Sequence, residues 1–211
     1  MKTIRRRADR RITHYAWSIV VICACILMAA CAKQAAAPGV QSLTDRIVPP
    51  ANVSDLLPGL AVRYYEGHFR HIDQMPSGTR ATRWGRSGNP IAIINHRFGE
   101  GNVFDSGVHQ KVGVMMSGYI HFENNGFYRF RARSNDGVRI WIGDTVVIDD
   151  PDVHPDQLSD SRPLEIRLAG WYPFQLKYFQ NKGSATLELY WQPPGAQDFT
   201  IVPEAVYRHH P

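Results

Sequence analysis

The chain has 211 residues, 44% hydrophobic and 20% charged, the proportions of an ordinary globular protein. Its net charge of +5 is carried by residues 1–30, where Lys2, Arg5, Arg6, Arg7, Arg10 and Arg11 face only Asp9. The neutral remainder lacks the electrostatic footprint of a nucleic-acid binder. Cys23, Cys25 and Cys31 are the three cysteines. A domain downstream of them has no internal disulfide and must rely on core burial, which its size allows.

The first eleven residues are basic, and Ala16–Ala30 is apolar apart from Ser18. A stretch of about 15 residues is too short for the roughly 20 of a spanning helix, but it suits the apolar region of a signal peptide. It ends in Leu27-Met28-Ala29-Ala30-Cys31, which resembles a bacterial lipobox, although Met28 departs from the usual Leu. The resemblance implies a signal peptide over 1–30 and lipidation of Cys31. Ala32, rather than Asp, after the Cys is similar to lipoproteins sent on to the outer membrane. The alternatives are an ordinary secretory signal cut near Ala30, which has the same small residues before its cleavage site, and an uncleaved anchor. Residues 31–57 read as the lipidated Cys and a flexible tether, because Pro38-Gly39 and Pro49-Pro50 interrupt helix and strand.

Residues 58–207 read as the folded domain. Leu60, Val62 and Tyr64 alternate with polar or small neighbours, which predicts a first strand. Residues 68–86 are polar and irregular, broken by Pro76, Gly78 and Gly85. A short apolar run follows at Ile91–Ile94, and 97–107 is a Gly-rich loop. A long strand is predicted over Val112–Phe122, and Asn124-Asn125-Gly126 predicts a hairpin onto the next strand. Tyr128, Phe130 and Ala132 alternate with Arg129, Arg131 and Arg133. Val138, Ile140 and Ile142 alternate with Arg139 and Trp141, and Gly143-Asp144 predicts a two-residue hairpin turn. Leu164, Ile166 and Leu168, then Phe174, Leu176 and Tyr178, then Ala185, Leu187, Leu189 and Trp191 repeat the pattern. Residues 199–206 predict a last edge strand. Many short strands and no convincing amphipathic helix make an all-β sandwich or barrel.

Gly118-Tyr119-Ile120, Gly126-Phe127-Tyr128-Arg129-Phe130, Ser134-Asn135-Asp136-Gly137-Val138-Arg139-Ile140-Trp141-Ile142, and Val147-Ile148-Asp149 are ordered landmarks that resemble the protective-antigen fragment (PA-fourteen) domain. Leu168-Ala169-Gly170-Trp171-Tyr172-Pro173-Phe174, Tyr178-Phe179-Gln180-Asn181 and Leu187-Glu188-Leu189-Tyr190-Trp191 continue the likeness. It runs from about Pro58 to about Tyr207, loosely over 70–112. It implies an antiparallel β-sandwich with jelly-roll character.

The same resemblance points to a site. In fungal adhesins of the family, two consecutive aspartates joined by a cis peptide bind calcium beside the sugar. Here Asn135-Asp136 stands at that place, and Asn keeps an oxygen ligand while removing one charge. Asn181 stands where those adhesins place an asparagine ligand, with Lys182 beside it. Asn135-Asp136-Gly137 is equally a plain turn, since Asn, Asp and Gly are common turn residues. Trp84 and Trp171 are candidates for sugar stacking, because a pyranose presents an apolar C–H face to a flat ring; core packing is the competing role. The acidic loop 149–156 lacks EF-hand spacing and reads as a solvated loop, and the histidines match no zinc pattern. No nucleophile elbow or phosphate loop is present.

The expectation is therefore a non-catalytic, lipid-anchored glycan-binding domain at the bacterial cell envelope. Calcium is the candidate cofactor, and the partners are a glycan or polysaccharide, the membrane through Cys31, and no nucleic acid. The alternative is a structural or assembly module that binds an envelope protein without sugar or metal.

Overall fold

The computed structural model describes Gln41–Ser42 and residues 53–211. The expected signal peptide, Cys31 and most of the tether lie outside the described residues. In chain order the strands are β1 (Gln41–Ser42), β2 (Leu57–Pro58) and β3 (Ala61–Glu66), then helix α1 (Gly78–Trp84). β4 (Arg86–Ser87), β5 (Asn95–Gly99), β6 (Val112–Phe122), β7 (Gly126–Asn135), β8 (Val138–Ile142) and β9 (Thr145–Asp150) follow. β10 (Gln157–Leu158), β11 (Pro163–Ile166), β12 (Gly170–Gln180), β13 (Ala185–Gln192), β14 (Thr200–Ile201) and β15 (Tyr207–His209) complete the fold.

They form two sheets. One has the order β1-β11-β7-β13-β14, with β10 on β7 and β5 on β13. The other has the order β2-β15-β6-β12-β8-β9, with β3 on β6 and β4 on β3. The short β1 runs parallel to β11, and the main strands pair antiparallel. The fold is the expected antiparallel β-sandwich. Tyr128, Phe130, Ala132, Leu187 and Leu189 of the first sheet are buried in one core with Val114, Met116, Ile140, Phe174 and Leu176 of the second. Fully burying a large apolar side chain of this kind contributes about 1.5–3 kcal/mol. The Gly143-Asp144 turn forms as expected, with Gly143 at φ 57°.

Several features differ from the pattern. Asn124-Asn125-Gly126 does not close a hairpin, because β6 and β7 lie in opposite sheets. Their apolar faces meet across the core instead, with the Phe122 and Tyr128 rings 4.7 Å apart and edge-on. Leu168 is 54% exposed, since β11 ends at Ile166. The last segment splits, β14 pairing with β13 and β15 with β6 in the other sheet.

The segment read as irregular also contains α1, whose Ala81 is buried against Tyr65, with the Tyr65 hydroxyl donating to the Ala81 carbonyl at 2.8 Å. Phe69, Ile72, Met75 and Phe179 complete this second cluster, on a sheet face that period two assigns to solvent.

Gly118 lies in β6 beside the antiparallel β15. A Cβ there would run into the Arg208 carbonyl.

Candidate functional site

β7 and β8 belong to different sheets, and the chain passes between them over Asn135-Asp136-Gly137. β12 and β13 also belong to different sheets, joined through 181–184. Register places the crossings side by side, since Val138 pairs with Tyr178 and Asn135 with Thr186. Asn135, Asp136, Asn181 and Lys182 therefore meet at one corner.

The Asn135–Asp136 peptide bond is cis, as the resemblance implied. A Cβ on Gly137 would lie 2.6 Å from the Phe179 ring and 2.8 and 2.9 Å from the carbonyls of Pro151 and Asp152. Only glycine lets these segments close. The Asp136 N–H donates to the Phe179 carbonyl at 3.2 Å, and the Phe179 N–H donates to the Gly137 carbonyl at 3.0 Å. The buried Tyr178 donates its hydroxyl to the Asn135 carbonyl at 2.6 Å.

Asp136 ties the corner together. Its Oδ2 accepts the Asn181 N–H at 2.7 Å, and its Oδ1 accepts the His154 N–H at 3.3 Å. One carboxylate thus joins the β7–β8, β9–β10 and β12–β13 connections. The Asn181 carbonyl accepts the Lys111 N–H at 3.1 Å, and the Lys111 carbonyl accepts the Gly67 N–H at 2.8 Å. The corner is rigidly hydrogen-bonded to the strand ends beside it.

Asp136 is 3% exposed. Burial pushes its carboxyl above the usual carboxylate range. The N–H groups of Asn181 and His154, the His154 charge and the Lys182 N–H pull the other way without cancelling the burial.

The acidic loop beyond is structural. Asp149 pairs with Arg139 at 2.6 Å, and Asp156 pairs with Arg133 at 2.7 Å and accepts the Thr186 hydroxyl at 3.0 Å. Asp150 accepts from Gln157 at 3.0 Å. Among the described residues no group of three or more His, Cys, Asp or Glu converges as a metal cluster. The corner offers different donors: the Asp136 carboxylate and the amide groups of Asn135 and Asn181. A carboxylate has about four acceptor positions, and the backbone N–H groups do not fill all of them. This hard-oxygen set fits calcium, with a single formal charge.

The two tryptophans lie elsewhere. Trp171 starts β12 and pairs with His121, whereas Asn181 follows the other end of that strand, roughly 33 Å away at strand rise. Trp84 ends α1 on the outer face of the second sheet. Sequence reasoning missed His154, Tyr178, Lys111 and Phe179 at the corner. Their contributions are backbone groups, a hydroxyl and packing, which no spacing rule marks.

The PA14 domain family matches residues 94–205. The chain is similar in fold to the PA14 domain of the MpAFP antifreeze protein, with TM-score 0.62 and 16% identity over 80% of this chain and 97% of that one. It is also similar to the Epithelial Adhesin 9 A domain of Candida glabrata, solved with Galβ1-3GlcNAc, with TM-score 0.58 and 12% identity over 77% of this chain and 94% of that one. An anti-sigma factor domain-containing protein from Clostridium clariflavum has TM-score 0.57 and 21% identity over 72% of this chain. The chain covers 47% of that protein's length, about half. No curated protein matches. The matched segment spans more than half of the chain and includes the corner, and the chain belongs to the PA14 domain family.

Proposed function

We propose that this domain binds carbohydrate, without catalysis, at the corner of Asn135, Asp136, Asn181 and Lys182, assisted weakly by calcium. The observation that carries this reading is the Asp136 carboxylate, buried at a loop corner and held there by backbone N–H groups rather than by lysine or arginine. Burial alone penalises such a charge, and a bound cation offsets the penalty. Asn135, Asp136 and Asn181 would hold the ion. When bound, calcium supplies open coordination positions for sugar hydroxyls. The exposed Lys182 at the rim adds a hydrogen-bond donor. A neighbour of the same fold solved with a galactose-containing disaccharide supports the ligand class.

One formal charge offsets little of the ion's dehydration, so calcium binds in the roughly 10⁻⁴–10⁻³ M range of extracellular modules. Lipidation at Cys31 would hold the domain at the cell envelope, on the outer membrane. The test is glycan-array binding by the wild type and Asp136→Ala, in millimolar calcium and in chelator. Binding lost in both the variant and chelator supports the corner. Retention in both, or no binding to any glycan, overturns it in favour of a module that packs on an envelope protein.

A further inference from the structure

A second site lies on the outer face of the sheet that carries β3, β6 and β12. The segment between β3 and β4 folds over this face and leaves a cleft of about 500 Å³. That volume lies within the roughly 300–1,000 Å³ of small-ligand sites. Phe69 and Met75 form an apolar wall, and Trp84 stands at the rim. Trp84 is 69% exposed. A large exposed aromatic beside a concave surface is the informative kind of exposure. The Arg80 guanidinium lies over the indole ring, 5.2 Å from its centroid.

The polar lining narrows the ligand. Asp73 is already paired with Arg139 at 2.5 Å, and that hydrogen bond holds its carboxyl below the usual range. Glu66 and Arg80, both lining the cleft, have opposite charges, so the cleft as a whole is close to neutral. The Gln74 amide oxygen accepts the Arg70 N–H at 2.7 Å, which leaves the amide N–H groups to donate. Glu66 accepts, and the Ser77 hydroxyl does both. A flat aromatic face, a neutral field and several short-range donors and acceptors suit a neutral pyranose better than a phosphate, an amine or an apolar molecule.

We infer that the Trp84 cleft is a second saccharide-binding site, with the sugar stacked on the indole and its hydroxyls held by Glu66, Gln74 and Ser77. The cleft shares no residue with the corner, and its residues 66–84 precede the 94–205 segment that matches the PA14 family. It lies at the same end of the sheet as the corner. Glu66 pairs with Val112 and Val112 with Gln180, so Glu66 is two strand spacings, roughly 10 Å, from the strand that leads into Asn181. The two sites are close enough for one oligosaccharide to reach both, yet the cleft does not depend on Asp136.

The test uses the purified full chain as wild type, Trp84→Ala, Asp136→Ala and the double variant. Galβ1-4GlcNAc and cellotetraose are the probes, with N-bromosuccinimide oxidation of Trp84 read by peptide mass. Trp84→Ala keeps the fold, because the side chain it removes is mostly in water. At least one saccharide is expected to slow Trp84 oxidation in both the wild type and Asp136→Ala. In the Asp136→Ala background, adding Trp84→Ala is expected to weaken calorimetric affinity at least tenfold. No protection by either saccharide overturns the cleft. So does protection that disappears in Asp136→Ala, or an unchanged affinity in the double variant. If Asp136→Ala leaves total binding unchanged while Trp84 remains protected, the corner reading fails and the cleft stands.

Discussion

Asp136→Ala should destabilise the domain and change its pH dependence. The substitution removes the acceptor for two backbone N–H groups, those of Asn181 and His154. A buried donor left unpaired costs about 1–3 kcal/mol. Loss of a desolvated carboxylate returns part of that, so the net loss without calcium is about 2–3 kcal/mol near pH 7. For a domain of this size that lowers Tm by about 4–12 °C. The pH dependence follows from burial, which raises the Asp136 carboxyl above its unfolded value of about 3.9. A raised acid contributes its full stability below the unfolded value and loses it as pH rises through the folded value. The gap between wild type and Asp136→Ala should therefore be wider at pH 4 than at pH 7. On the proposed reading, calcium would bind the ionised form. With Kd near 1 mM, 10 mM calcium adds about 1.4 kcal/mol to the wild type at pH 7, and nothing to the variant. Urea unfolding followed by circular dichroism, with and without calcium, measures all of these quantities. A gap that is flat or grows with pH, or calcium stabilising both proteins equally, would refute the reasoning.

Other substitutions probe the frame. Ile140 and Leu189 are both fully buried, and Ala at either should cost about 2–5 kcal/mol by denaturant unfolding, with values below 1 kcal/mol at both contradicting the assigned core. Gly137→Ala places a methyl against the Phe179 ring and the Pro151 and Asp152 carbonyls. Overpacking of this kind costs about 1–3 kcal/mol and should weaken glycan binding, whereas unchanged stability would mean the loops move apart freely. Cys31→Ser should remove an acyl mass from the N-terminal peptide and release the protein from the membrane fraction. A wild-type Cys31 without acyl mass by mass spectrometry removes the anchor.

Period-two alternation in the sequence alone identifies the core-facing residues of β7, β8, β12 and β13, because successive side chains of a strand point to opposite faces of its sheet. Turn chemistry likewise locates Gly143-Asp144, where a local backbone requirement selects glycine. The landmarks around Asn135-Asp136-Gly137 and Asn181 are legible as a family pattern, and the fold brings them side by side. Local pattern does not say which sheet a strand joins. Asn124-Asn125-Gly126 carries the composition of a hairpin turn, yet it joins opposite sheets, because the Phe122 and Tyr128 faces must meet across the core. Tyr65 and Phe179 alternate toward solvent, and only the packing of α1 and the segment before it buries them. The Asp136 latch and the Trp84 cleft arise in the same way. Asn181 lies 45 residues from Asp136, and their hydrogen bond exists only because two sheet crossings are brought side by side. Long-range backbone bonds and the shape of a covered sheet face depend on distance in space, which spacing along the chain does not encode.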